Sequence, residues 1–139
     1  MAIAALDLGK RRIGIAIADD DGLAVSPIGA LERRSLIRDL ESIRARLAEF
    51  EVSQVIVGLP LNMDGSAGPA ARIAETFAHR LRESCGLPVD LFDERLTSFE
   101  AEERLRELSG THARDKGRID AVAASIILEG WLTRRRESC

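Results

Sequence analysis

Two cysteines and two histidines among 139 residues leave little from which to build a zinc centre or a thiol active site. Cys85 and Cys139 have no Cys-x-x-Cys spacing, and His79 and His112 stand apart in dissimilar surroundings. No apolar stretch approaches the roughly 18 residues of a membrane span. The N-terminus places its basic cluster after the first apolar segment, the reverse of a secretory signal. A basic excess is missing as well: the net charge is -3 with 31% charged residues, so any nucleic-acid binding has to come from local patches. Internal repeats, low-complexity segments and interdomain linkers are absent. These absences lead us to expect a reduced, cytoplasmic protein folded as one domain over residues 1–139, with 45% hydrophobic content to fill one sizeable core.

What the chain does have begins at Asp7, a carboxylate at the end of the apolar run Ala2-Ile3-Ala4-Ala5-Leu6. A second apolar stretch, Ile13 to Ala18, follows the turn Lys10-Arg11-Arg12. Together they read as a β-hairpin inside a covered sheet. An ionised carboxylate there costs several kcal/mol unless a cation or donors compensate it. A plain turn role, with Gly9 two residues on, explains Asp7 about equally well when it is taken alone.

Leu23 to Leu31 reads as a third strand, with Pro27 pointing to a sheet edge or a bulge. Ser35 can cap a helix whose apolar positions are Leu36, Leu40, Ile43, Leu47 and Phe50. Val52 to Val57 is a fourth strand, opening into a shaped loop from Gly58 to Pro69 and a helix containing Ile73, Phe77 and Leu81. Gly86-Leu87-Pro88 ends that helix, and Val89 to Phe92 is a fifth strand. The remainder reads as helical from Ser98 or Phe99 to Leu108 and from about Arg118 to Trp131, with a polar connection from Gly110 to Gly117. In the last helix Ile119, Ala123, Ile126, Ile127 and Trp131 mark the expected buried stripe. The fold class is α/β: a mixed five-stranded sheet, made of a three-strand antiparallel meander plus two crossover strands, flanked by helices.

Asp93 and Glu94 lie at the carboxyl end of strand five, the edge where open α/β sheets usually bind ligands. Asp120 opens the last helix. Taken singly, each acid is explained at least as well by a polar loop, a helix cap or the helix dipole. Together they end two strands and sit on a helix able to pack over both. Clustered carboxylates repel, which raises their pKa values unless cations join them. Mg²⁺ suits such a set, being a hard ion that takes oxygen ligands and bridges carboxylates to substrate phosphates. Basic patches at Lys10-Arg11-Arg12, Arg33-Arg34, Arg114-Lys116-Arg118 and Arg134-Arg135-Arg136 are each explained most simply as solvated turns or helix ends.

Four segments in order resemble the YqgF/RuvX family of Holliday-junction-resolvase-like proteins: Asp7-Leu8-Gly9-Lys10-Arg11-Arg12-Ile13-Gly14, Gly58 to Ser66, Asp93-Glu94-Arg95-Leu96-Thr97, and Asp120-Ala121-Val122-Ala123-Ala124. The resemblance covers most of the chain. Lys10 departs from it, standing where the family often has a small or uncharged residue. The resemblance implies an RNase H-like fold, with Asp7, Glu94 and Asp120 as catalytic and metal-binding acids for Mg²⁺ or Mn²⁺. Asp93 stands beside Glu94 as an alternative or an outer partner. With it come Lys10, Arg11, Arg12, Asn62, Arg95, Lys116 and Arg118 as candidate substrate contacts, and a loop from Asn62 to Gly68 that shapes the substrate path.

The activity implied is a metal-dependent nuclease that matures the 5′ end of pre-16S rRNA during ribosome biogenesis. Its partners are then nucleic acid and ribosomal particles, with no membrane, and its state a monomer or homodimer. The alternatives are a Holliday junction resolvase acting on four-way DNA, which requires a dimer, and a noncatalytic RNA- or ribosome-binding factor.

Overall fold

The computed structural model describes residues 1–19, 24–97, 103, 107 and 116–138. Strands β1 (Ala2–Leu8) and β2 (Arg12–Asp19) pair antiparallel, with Asp7 opposite Gly14 and Leu8 opposite Ile13. Strand β3 (Val25–Glu32) pairs with β2 at the sheet edge, and its register shifts between Ile15, opposite Gly29, and Ala16, opposite Pro27. The edge and the bulge expected from Pro27 are therefore both present. Strands β4 (Val52–Leu59) and β5 (Val89–Asp93) add in parallel on the other side of β1, giving the order β3-β2-β1-β4-β5.

Side chains alternate across a strand, so each face of the sheet needs its own cover. Ala4, Leu6, Ile13, Ile15, Val55 and Val57 point to helices α1 (Leu36–Glu49) and α2 (Pro69–Cys85), where Ile43, Leu47, Phe77 and Leu81 meet them. Ile3, Ala5, Ala16, Ala18, Ile56 and Phe92 point to helix α3 (Lys116–Glu137), which supplies Ala124, Ile127, Leu128 and Leu132. Covered on both sides, β1 and β2 read as the continuous apolar runs seen in the sequence. The same parity puts Asp7, Arg12, Gly14 and Gly58 on the α3 side.

Ser35 caps α1 as expected, its hydroxyl accepting from the Arg38 amide. Of the residues marking α2, Phe77 and Leu81 are buried, whereas Ile73 is 51% exposed and Ala71, Ala74 and Ala78 complete the inner face. Helix α3 departs further from expectation. It runs past Trp131 to Glu137, and its buried residues are Ala121, Val122, Ala124, Ser125, Ile126, Ile127, Leu128 and Leu132. Ile119, Ala123 and Trp131 are only partly buried. The reason is breadth: α3 packs against β1, β2, β3 and β4, too wide a surface for one narrow stripe. The Arg135 guanidinium lies over the Trp131 ring, 5.4 Å from its centroid. The helix expected from Ser98 or Phe99 to Leu108 falls outside the described residues except for two helical positions, Glu103 and Glu107.

One buried charge was not foreseen. Asp39, 5% exposed, accepts from the Arg34 amide at 2.9 Å and faces Arg33 Nε at 3.5 Å. Arg33 in turn donates through Nη1 to the Gly9 carbonyl at 3.0 Å, tying the first turn of α1 to the hairpin beyond Asp7. Asp39→Ala strands a half-buried guanidinium and should cost about 2–4 kcal/mol. Urea denaturation checks this, and a loss below about 0.5 kcal/mol contradicts it. Among the described residues no helix is long and apolar enough to cross a membrane.

Candidate active site

Two glycines let the acids approach. A Cβ on Gly14 would lie 2.0 Å from the Asp120 carbonyl oxygen, so only a residue without a side chain lets the start of α3 settle on the hairpin. Asp120 is thereby held over the strand pair that carries Asp7. A Cβ on Gly58 would lie 2.6 Å from Ile127 Cδ1 and 3.2 Å from the Glu94 carboxyl group, so Gly58 clears the space that Glu94 fills. Glu94 opens a single 3₁₀ turn, Glu94–Leu96, just beyond β5. Asp7 thus comes from β1, Glu94 from the end of β5 and Asp120 from α3.

Burial pushes the Asp7 carboxyl from its ordinary 3.8 up to about 6, and the charge of Asp120 adds to the rise. Burial likewise lifts Glu94 from 4.5 to about 7, helped by the charges of Asp7 and then Asp93. Both shifts express one condition, carboxylates gathered in a poorly hydrated place without enough positive charge. Asp120 differs. One of its oxygens accepts from Arg12 Nε at 2.6 Å, a contact only partly shielded from solvent.

Asp93 turns away from this group. It caps the 3₁₀ turn through the Arg95 amide at 2.9 Å and binds the Arg95 guanidinium at 2.8 Å, hydrogen bonds that hold its carboxyl below the usual range. Glu94, not Asp93, is the strand-five acid that reaches Asp7 electrostatically.

The basic and loop residues separate into two sets. Lys10 and Arg11 are exposed on the hairpin turn, Arg118 is exposed on the first turn of α3, and Lys116 opens that helix. Asn62 and Arg95 build the loop itself. Asn62 donates its backbone N–H to the Ser66 carbonyl and its side-chain amide to the Ser66 hydroxyl, both at 2.9 Å. Arg95 donates to the Met63 carbonyl at 3.2 Å while holding Asp93, so it rivets the loop to the end of β5.

The donor chemistry suits a hard divalent cation, since all three acids offer carboxylate oxygens. The raised pKa values of Asp7 and Glu94 are the response expected of carboxylates buried without a compensating cation. Asp7, Glu94 and Asp120 are the residues that would hold it. In the arrangement described, no group of three or more His, Cys, Asp or Glu side chains among the described residues stands ready to hold a metal. Asp120 is engaged by Arg12 instead.

Sequence reasoning did not anticipate the two clearance glycines, the Arg12–Asp120 contact or the Asp39–Arg33 brace. Gly14 and Gly58 sit inside the motif segments, which was the one visible hint.

Residues 1–134 match a family model described as RuvX, Holliday junction resolvase. A protein from Anaeromyxobacter sp. strain Fw109-5 is 54% identical over 131 residues, spanning 94% of this chain and 95% of its own. Another, from Synechococcus elongatus strain ATCC 33912, is 44% identical over 132 residues, spanning 95% and 89%. Both carry the provisional name of pre-16S rRNA nuclease. Among solved structures, Thermus thermophilus RuvC in complex with a Holliday junction substrate aligns with a TM-score of 0.63 at 15% identity, covering 97% of this chain and 96% of that one. The fowlpox virus Holliday junction resolvase aligns at 0.54 and 15%, covering 100% of each chain. These two likenesses establish the RNase H-like, resolvase-type fold.

Proposed function

The chain belongs to the RuvX family, and from that premise we propose that it is a Mg²⁺- or Mn²⁺-dependent phosphodiesterase acting on structured nucleic acid. Family and fold together point to a nuclease. The observation that carries the finer reading is the approach of Asp7 and Glu94, from two strand ends, into a place where both hold protons unusually tightly. A bound divalent cation there supplies Lewis-acid stabilisation and a more acidic water.

The chain's own groups do the rest. Asp7, Glu94 and Asp120 present oxygens from three elements, and a cation shared by them would draw the scissile phosphate to that place. Gly58 keeps the Glu94 carboxyl group seated. Lys10, Arg11 and Arg118 offer exposed positive charge to the flanking phosphates, a contribution that weakens with added salt. Arg95 and Asn62 act by holding the loop from Asn62 to Gly68 beside that path.

Maturation of the 5′ end of pre-16S rRNA, in the cytoplasm and on ribosomal particles, is the leading role, supported by the names of relatives that align over nearly their whole length. Four-way DNA junctions are the second reading, favoured by the description of the matching family model. That reading requires two matched sites and hence a homodimer.

The test compares cleavage of a pre-16S 5′-end fragment and a four-way DNA junction by wild type, with Mg²⁺, Mn²⁺ or EDTA. Metal-dependent cutting of the RNA, with the junction left intact, is the expected result. Junction cutting alone transfers the assignment to the second reading. Binding of the RNA fragment without cutting in any metal points to a noncatalytic RNA- or ribosome-binding factor.

A further inference from the structure

We propose that Arg12 is an exchangeable counterion: it holds Asp120 in the substrate-free protein and moves onto a nucleic-acid phosphate when substrate binds, which frees Asp120 to complete the cation site with Asp7 and Glu94. This rests on the phosphodiesterase reading above and names how its metal site is assembled.

Three observations support it. The Arg12–Asp120 contact is a single bond, Nε to one carboxylate oxygen at 2.6 Å, not the two-point fork in which arginine binds carboxylates and phosphates most strongly. Both side chains keep contact with water, at 27% and 23% exposure, so the pair is of the kind that contributes little net stability and is inexpensive to part. A phosphate that offers two oxygens to the guanidinium therefore competes well.

The scaffold, meanwhile, stays still. The Arg12 carbonyl accepts from the Gly9 amide at 2.9 Å, and Arg12 is in register with Glu32 of β3. The Asp120 backbone is seated against Gly14. Exchange requires only side-chain rotation, of Arg12 towards the phosphate and of Asp120 towards Asp7 and Glu94.

Location supplies the third observation. Arg12 lies two residues before Gly14 on the α3 side of β2, and Gly14 is the cross-strand partner of Asp7. A phosphate reaching the acids must come within range of this guanidinium. In the substrate-free arrangement Asp120 is held by Arg12, and among the described residues no three-carboxylate group able to hold a metal is formed. The device also protects the resting protein, because one of three mutually repelling carboxylates is neutralised until substrate phosphate arrives.

The test is Mn²⁺ binding, followed by calorimetry on the full chain without nucleic acid, for wild type, Arg12→Gln, Lys10→Gln and Arg12→Gln/Asp120→Asn. Arg12→Gln should bind Mn²⁺ at least about fivefold more tightly than wild type, since it releases Asp120. Lys10→Gln removes one positive charge from the same turn and should change affinity less than twofold, because Lys10 is exposed and screened. The gain should vanish in the double variant. If wild type binds Mn²⁺ and Arg12→Gln binds no more tightly than Lys10→Gln, the exchange is overturned while the metal reading stands. If no protein binds Mn²⁺, the metal reading falls and the exchange falls with it.

Discussion

Asp7→Asn is expected to lose nearly all metal-dependent cleavage and yet to melt roughly 4–8 °C higher than wild type in EDTA at pH 8. The folded protein holds the Asp7 proton to about 6 against an ordinary 3.8, so folding opposes its ionisation. A shift of roughly two units corresponds to about 3 kcal/mol, of which an asparagine, still polar and half-buried, should recover about 2 kcal/mol.

The sign follows from the direction of the shift. Below the unfolded value near 3.8 both states carry the proton, and the wild type suffers no penalty. Stability is lost as pH rises through about 6, and above that the loss is complete. The advantage of Asp7→Asn should therefore be absent near pH 4, grow across the interval, and stay level beyond pH 7. Glu94, raised to about 7, adds a second loss in the wild type that continues to slightly higher pH. Mn²⁺ should narrow the gap by stabilising more strongly the protein that binds it more tightly. Thermal melts at pH 4.5 and pH 8, each with EDTA, check the pattern. A variant less stable than wild type at pH 8 contradicts burial as the cause. On the chemical side, cleavage should fall by roughly 10²-fold or more, the scale seen when a group stabilising transition-state charge is removed.

The largest structural effect is expected from Gly14→Ala, a single methyl group that should cost about 3–5 kcal/mol. The atom it meets is the Asp120 carbonyl oxygen, 2.0 Å from where the Cβ must go, and the Asp120 carbonyl carbon lies at 2.4 Å. Backbone cannot rotate aside as a side chain can. Relief requires the first turn of α3 to lift from the hairpin, taking Asp120 away from Asp7 and exposing Ala121 and Val122, now buried.

Gly58→Ala provides the contrast. Its new methyl group meets Ile127 Cδ1 at 2.6 Å, the end of a flexible side chain, and the Glu94 carboxyl at 3.2 Å. It should cost only about 1–2 kcal/mol. Trp131, the one tryptophan, sits on α3, so its fluorescence during urea unfolding reports on the docking of that helix. Equal stability losses in the two variants would show that the start of α3 does not rest on Gly14 as described.

The sequence made some of this legible and hid the rest for physical reasons. β1 and β2 were readable because strands covered on both faces are continuously apolar, and Pro27 marked an edge because it cannot donate to a ladder. Asp7, Glu94 and Asp120 stood out as candidates because one nears the end of β1, one follows β5 and one lies early in a helix able to pack over both, and the family resemblance singled out the same three.

The buried face of α3 was legible at Ile126 and Ile127 and missed around them, because periodicity describes a helix resting on one ridge, whereas this one spans four strands. Pairings between distant residues leave no local trace. Arg12 and Asp120 are 108 positions apart, and each alone resembles a solvated charge. Nothing in the sequence singles out Asp39, and only the fold shows Arg33 linking it to the Gly9 carbonyl. The glycines were opaque for a related reason, since what a missing Cβ avoids is known only once the neighbour is in place.

The measurement that bears most directly on the central claim is Mn²⁺ binding to wild type, Asp7→Asn and Glu94→Gln by calorimetry at pH 7, in two buffers of different ionisation enthalpy. Wild type should bind with release of protons, because Asp7 and Glu94 hold theirs close to that pH and a ligand must give its proton up. Each variant should bind at least about tenfold more weakly. Undiminished Mn²⁺ affinity in both variants, with no proton release in the wild type, would place the cation elsewhere and contradict the assignment of these acids.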